Sequence, residues 1–122
     1  MILDKEQLKQ FTWGGIKMKT KKEIRKILED NNFGILSEDR EAIEFGQYTP
    51  CGEDWLERLD WSSAEKFIED LRRRVNDFDI DEEVEIWIPM RGKRGVPEKI
   101  TDLIEDAKWK LEMLETLLKE VE

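Results

Sequence analysis

From Ile100 to Val121 the chain repeats apolar side chains by threes and fours: Ile100, Leu103, Ile104, Ala107, Leu111, Leu114, Leu118 and Val121. That spacing lines one face of an α-helix, and Pro97 suits its first turn, where a missing N–H costs no hydrogen bond. A helix of this length spans about 33 Å, so the rest of the chain must supply a surface to cover it from end to end. With 122 residues there is material for one domain to do so. On a wheel with Ala107 at zero, these residues fall within about 60° of the centre line, while Trp109 lies about 200° away and Met113 about 120° away. Trp109 is therefore either covered by a further helix or exposed as an aromatic anchor for a partner.

Two other helices announce themselves by their starts. Thr20 followed by Glu23 is a capping box, with Ile24, Ile27 and Leu28 on one face and Asn31-Asn32 as the stop. Ser62 followed by Glu65 is a second, leading into Ala64, Phe67, Ile68, Leu71 and Val75. On that helix Arg72 and Arg73 fall about 100° and 200° from Leu71, on the exposed side, with Arg74 on the flank of the apolar face.

Between these helices, "GILSE", "AIEFGQY" and "EDWLERLDW" place apolar residues at nearly every second position, as in three antiparallel strands. Ile43 and Phe45 share a face. The last strand reads equally with Trp55, Glu57 and Leu59 inward, or with Leu56 and Arg58 inward. "DEEVEIWI" fits both a strand through Val84, Ile86 and Ile88 and a short helix capped by Asp81; the acidic residues at its start favour the helix, whose dipole they suit. The fold expected is α+β: an N-terminal helix, a three-stranded antiparallel sheet, then two to three helices ending in the long amphipathic one. It occupies residues 18–122. Residues 1–17 lack a single period, carry Gly14-Gly15, and read as an N-terminal arm whose Phe11 and Trp13 either fold back or reach a partner.

Composition narrows the chemistry. Histidine is absent, which removes the usual neutral-pH base and the commonest zinc ligand, and the lone Cys51 makes no internal disulfide. No Ser-His or Cys-His nucleophile can be assembled, and with 30 Asp and Glu residues close carboxylate pairs arise by chance. No catalytic residue, metal site or cofactor is expected. The chain has no apolar run long enough for a membrane span and no secretory leader pattern, which points to the cytoplasm.

Charge is the remaining signal. Residues 1–36 hold 8 Lys/Arg against 5 Asp/Glu, and residues 37–122 hold 13 against 25, so an overall charge of -9 divides into +3 and -12. Asp77, Asp79, Asp81, Glu82, Glu83 and Glu85 put six carboxylates into nine residues, and the basic loop Arg91, Lys93, Arg94 follows, bracketed by Gly92 and Gly95. The loop lacks the spacing of a phosphate-binding loop. One reading is a solvated acidic surface with a basic turn to offset it. The other is a row of carboxylates spaced like backbone phosphates, offered to a nucleic-acid-binding groove on another protein. Direct nucleic-acid binding is opposed by the net charge, although Arg72, Arg73 and the basic loop would form a local cationic patch if they met on one face.

The stretches "FGQYTPCGEDW" (45–55), "DFDIDEEVEIWI" (77–88) and "RGKRGVPEKITDLIEDA" (91–107) resemble a recurrent family of small acidic proteins of phages and mobile elements of Firmicutes. The resemblance runs from Met18 to the C-terminal end and leaves the arm outside. It implies the same α+β fold, favours the helical reading of the acidic segment, and supplies no catalytic residue. It also implies a class of function: antagonists of bacterial immunity, including anti-CRISPR proteins that imitate DNA. The expected protein is a non-enzymatic inhibitor of a nucleic-acid-handling host defence protein such as a CRISPR nuclease, in the bacterial cytoplasm. Its partner-binding residues would be the six carboxylates together with Trp109, Trp13, Arg72, Arg73, Arg91, Lys93 and Arg94. The alternative is a non-catalytic structural or adaptor module serving replication or transfer of the element, with a homodimer joined through the terminal helix.

Overall fold

The computed structural model describes residues 19–122. The arm expected at residues 1–17, with Phe11 and Trp13, lies outside the described residues. Helix α1 (Lys21–Asp30) opens on the capping box its sequence encodes: Thr20 Oγ1 accepts from the Glu23 N–H at 3.1 Å, and Glu23 Oε1 accepts from the Thr20 N–H at 3.2 Å. It closes with a Schellman turn. Asn32 takes φ 67°, its N–H donates to the Glu29 carbonyl, and the Phe33 N–H donates back to the Leu28 carbonyl. That turn delivers Phe33 into the core beside Leu28 and launches the sheet.

Strands β1 (Gly34–Glu38), β2 (Ala42–Tyr48) and β3 (Asp54–Asp60) form an antiparallel sheet in sequential order. Asp39 tightens the first hairpin by accepting from the Glu41 and Ala42 N–H groups, and those two bonds hold its carboxyl below the usual carboxylate range. In β3 the inward set is Trp55, Glu57 and Leu59, opposite Gln47, Phe45 and Ile43. Leu56 points out. A bulge between Ile35 and Ser37 turns Leu36 outward as well, so Leu36, Tyr48 and Leu56 are exposed, away from the core.

The other face of the sheet is covered by helices. Helix α2 (Ala64–Asp77) and the C-terminal half of α4 (Ile100–Val121) bring Phe67, Leu71, Leu114, Leu117 and Val121 onto Ile43, Phe45, Trp55 and Leu59, with Ile24 and Leu28 of α1. Edge-to-face contacts of Phe33 with Phe45 and Trp55, and of Trp61 with Phe67, fill this core. Helix α3 (Ile80–Trp87) packs separately on the N-terminal half of α4, where Val84, Leu103 and Ala107 form a second cluster with Ile80, Trp87, Ile88, Val96 and Ile104. The α+β architecture expected from sequence is the one observed, with a 3₁₀ turn (Ile88–Met90) around Pro89.

Helix starts differ from expectation in three places. Helix α2 is capped by Ser63, whose Oγ accepts from the Lys66 N–H, because Ser62 is already engaged through both its N–H and its hydroxyl by Asp60 Oδ1. Helix α3 is capped by Asp79, not Asp81; Asp79 Oδ1 accepts from the Asp81 and Glu82 N–H groups, which brings Ile80 into the helix. Helix α4 starts at Ile100, and Pro97 is buried in the preceding loop. There Gly92 and Gly95 take φ 77° and 79°, and the Gly95 carbonyl accepts from the Asp54 N–H at 2.9 Å, tying the basic loop to the start of β3.

Gly46 sits mid-strand for a steric reason. A Cβ there would collide with the Trp55 carbonyl of the neighbouring strand. Gly46→Ala is expected to destabilise the fold by more than about 2 kcal/mol, read as a lower urea midpoint at unchanged slope.

Candidate functional site

The acidic segment divides into two faces. On a helical wheel with Asp81 at zero, Glu85, Glu82 and Ile86 fall at about 40°, 100° and 140°, while Glu83, Trp87, Ile80 and Val84 occupy the arc from about 200° to 300°. The second arc packs on α4, and the first faces outward. Asp77, Asp79, Asp81, Glu82 and Glu85 are all exposed, and none makes an ion pair with a Lys or Arg among the described residues. Asp79 spends one oxygen on its cap.

Glu83 departs from the expected row and turns inward. Its Oε1 accepts from Lys110 Nζ at 3.0 Å, and its Oε2 lies 3.7 Å from the Arg74 guanidinium. Arg74 also forms a two-pronged pair with Glu57, at 2.8 and 3.1 Å, and Glu57 accepts in turn from the Trp55 indole N–H at 2.8 Å. Lys110, 1% exposed, makes a second ion pair with Glu53. Three carboxylates and two cations thus join the β3 region, α2, α3 and α4, with the Trp87 ring 5.6 Å from Lys110 Nζ and the Phe78 ring 4.8 Å from Arg74. Burial pushes the Glu53 carboxyl above its ordinary value, against the pull of Lys110. The Arg74 guanidinium is raised: its carboxylate partners Glu57 and Glu83 outweigh the burial that acts to lower it.

Beside this network Asp106, fully buried, accepts from Thr49 Oγ1 at 2.5 Å and from the Cys51 N–H at 3.1 Å, and the Glu53 N–H donates to Thr49 Oγ1. These bonds lock the turn between β2 and β3. The Cys51 thiol, with Asp102 and Glu105, brings three possible metal ligands within 4.8 Å of one another. Burial and hydrogen bonds to Glu105 and Asp106 push that thiol up to about 12, so it stays protonated at neutral pH and is a poor nucleophile.

The remaining expected residues are scattered around α3. Trp109 is half-buried and packs edge-to-face on Trp55, ring centroids 5.7 Å apart. Trp109 is drawn towards the sheet for a geometric reason. The buried stripe of α4 is Leu103, Asp106, Ala107, Lys110, Leu114, Leu117 and Val121, displaced by about 50° from the purely apolar one towards the Trp109 side. Arg72 pairs with Glu122 at 2.8 Å and Arg73 with Asp70 at 3.4 Å, both on the surface. A depression of about 350 Å³ there is lined by Glu69, Arg72, Arg73, Asn76 and Asp77, all from α2, and is a groove along one helix. Arg91, Lys93 and Arg94 are exposed on the loop. Trp13 lies outside the described residues. Sequence reasoning missed Lys110, Asp106, Glu53 and Glu57; the signal was that Lys110 and Asp106 lie on the flank of the apolar stripe, about 60° and 100° from Ala107.

Comparison of the chain with protein-family models, with curated proteins and with solved structures gives no match. Among the described residues no helix is long and apolar enough to cross a membrane.

Truncating Lys110 leaves Glu53 buried without its cation and Glu83 with only the more distant Arg74. Lys110→Ala is expected to cost about 3–5 kcal/mol in urea unfolding. The pH dependence has a definite sign. Because the folded-state pKa of Glu53 is raised, its contribution is full below the ordinary value near 4.5 and is lost as pH rises through the raised one. Wild type is therefore expected to gain stability relative to Glu53→Gln as the solution is acidified from neutral, as measured by paired melts.

Proposed function

We propose that this protein is a non-enzymatic inhibitor that binds a nucleic-acid-handling defence protein of a bacterial host, of the anti-CRISPR kind, in the cytoplasm, and that the outer face of α3 is what it presents. One observation carries the reading. Asp79, Asp81, Glu82 and Glu85, preceded by Asp77 at the end of α2, stand exposed and make no ion pair among the described residues, while Glu83 is withdrawn to hold α3 in place.

The spacing suits the role. From Asp79 to Glu85 four carboxylates follow a rise of roughly 9 Å, about one charge per 3 Å, close to the axial spacing of phosphates along one strand of DNA. A cationic groove that tracks phosphates would receive this face, be steered to it at long range and lose affinity with salt. The resemblance to small acidic proteins of phages and mobile elements agrees with that role. Arg91, Lys93 and Arg94, on a loop tied to β3 at Gly95, would meet acidic groups at the rim of the same groove.

A second reading, a structural or adaptor module that dimerises, draws on Leu36, Tyr48 and Leu56, which are exposed away from the core. A dimer on that surface would leave α3 free. Sedimentation of wild type against Leu56→Asp tests it, since a monomer in both cases removes the dimer.

The mimicry test uses purified, guide-loaded CRISPR nucleases. Wild type is expected to bind in competition with target duplex and to weaken as salt rises, and the combined Asp81→Asn, Glu82→Gln, Glu85→Gln variant to lose at least about tenfold at low salt with a shallower salt slope. Binding indifferent both to salt and to saturating DNA would overturn it.

A further inference from the structure

The outward arc of α3 is not purely charged. Ile86 is 63% exposed, flanked on the wheel by Glu82, with Asp81 and Glu85 beyond it. Met90, four residues on and 39% exposed, carries its sulfur 3.9 Å from Lys93 Nζ. A single exposed aliphatic side chain is ordinary on a protein surface. An exposed aliphatic side chain beside Asp81, Glu82 and Glu85, which make no ion pair among the described residues, is a composite surface, and each part restricts what can cover it. Anionic lipid and nucleic acid are repelled by the carboxylates. A second copy of this face would set like charges against like. The occupant that satisfies both parts is a cationic protein groove with an apolar or aromatic wall. Grooves that bind single-stranded nucleic acid are built this way, with cations tracking the backbone and aromatic platforms stacking the bases.

We propose that Ile86 is the specificity-determining anchor of this face, seated on the aromatic platform of a single-strand-binding groove while Asp81, Glu82 and Glu85 engage its cations. The carboxylates then take the place of phosphates and Ile86 takes the place of a base. This rests on the reading of α3 as the partner-binding face, and it moves the aromatic or apolar anchor from Trp109, which is packed on Trp55, to a residue whose side chain is exposed. Affinity accordingly has two separable parts, one sensitive to salt and one not.

The test uses two fluorescein-labelled peptides of equal positive charge, one alternating Lys with Ser and one alternating Lys with Tyr, titrated by anisotropy with the full chain. Wild type is expected to bind the Lys/Tyr peptide at least about tenfold more tightly than the Lys/Ser peptide, a difference of the size a buried hot-spot contact supplies. Ile86→Ser should bring that ratio to about one while leaving the Lys/Ser affinity and its salt slope intact. The Asp81→Asn, Glu82→Gln, Glu85→Gln variant should weaken both peptides. Equal binding of the two peptides by wild type, a preference that survives Ile86→Ser, or no binding of either peptide overturns the proposal. An Ile86-dependent preference for Lys/Tyr, together with failure of every purified CRISPR nuclease to bind, upholds this assignment and sinks the nuclease reading alone.

Discussion

A lysine ammonium with almost no access to water, held between Glu53 and Glu83, is the interaction on which the rest of this molecule is arranged. Its position along α4 explains why. Leu103 and Ala107 belong to the small cluster under α3, Leu114, Leu117 and Val121 to the main core under the sheet, and Lys110 lies between them. Removing an ammonium from water costs several kcal/mol unless partners surround it. Here the partners come from the approach to β3 and from α3, so the cation can be satisfied only when both elements are docked. Arg74 repeats the device from α2, bridging Glu57 and Glu83. The two cores are joined by a charged seam with defined geometry, which permits one docking of α3 where a greasy seam would permit several.

That seam also sets which carboxylates face the solvent. With Glu83 drawn in between Lys110 and Arg74, rotation of α3 about its own axis is fixed, and Asp81, Glu82 and Glu85 are left on the far side. Asp79 fixes the start of the same helix through its cap. The negative face is consequently a rigid, oriented surface on a short helix. Charged groups held apart from their counter-ions raise the energy of the free protein through mutual repulsion, and a cationic partner relieves it.

How far this was legible in the amino-acid order depends on which force dominated locally. Helix α1 reads cleanly because capping box, apolar period and stop signal agree, and the three strands read because alternation is strong in each. The facing of β3 could not be decided: Trp55, Glu57, Leu59 and Leu56, Arg58 each mix apolar and charged residues, and the inward set includes a glutamate that is tolerable inside only because Arg74, distant in the chain, joins the Trp55 indole in completing its hydrogen bonds. The same cause rotated the expected face of α4. A stripe drawn through apolar residues alone excludes Asp106 and Lys110, yet both are buried because distant partners neutralise them. The acidic run was visible as charge, but no local rule distinguishes Glu83 from its neighbours. Caps slipped by one or two residues where a nearby carboxylate competed, as Asp60 does for Ser62.

The sheet has only three strands, and both its margins are modified. At β1 the extra residue between Ile35 and Ser37 breaks the even spacing that an incoming strand would need. At β3 the outermost amides are engaged at both ends, Asp54 by the Gly95 carbonyl and Asp60 by Asp70 Oδ2. Only the short stretch around Leu56 and Arg58 remains there, too little to template a neighbour along its length. Ribbon-like polymerisation through main-chain pairing is thereby discouraged on either flank, so that neutralising the carboxylates of α3 by a counter-ion or a cationic protein would not by itself open a sheet edge to a second copy.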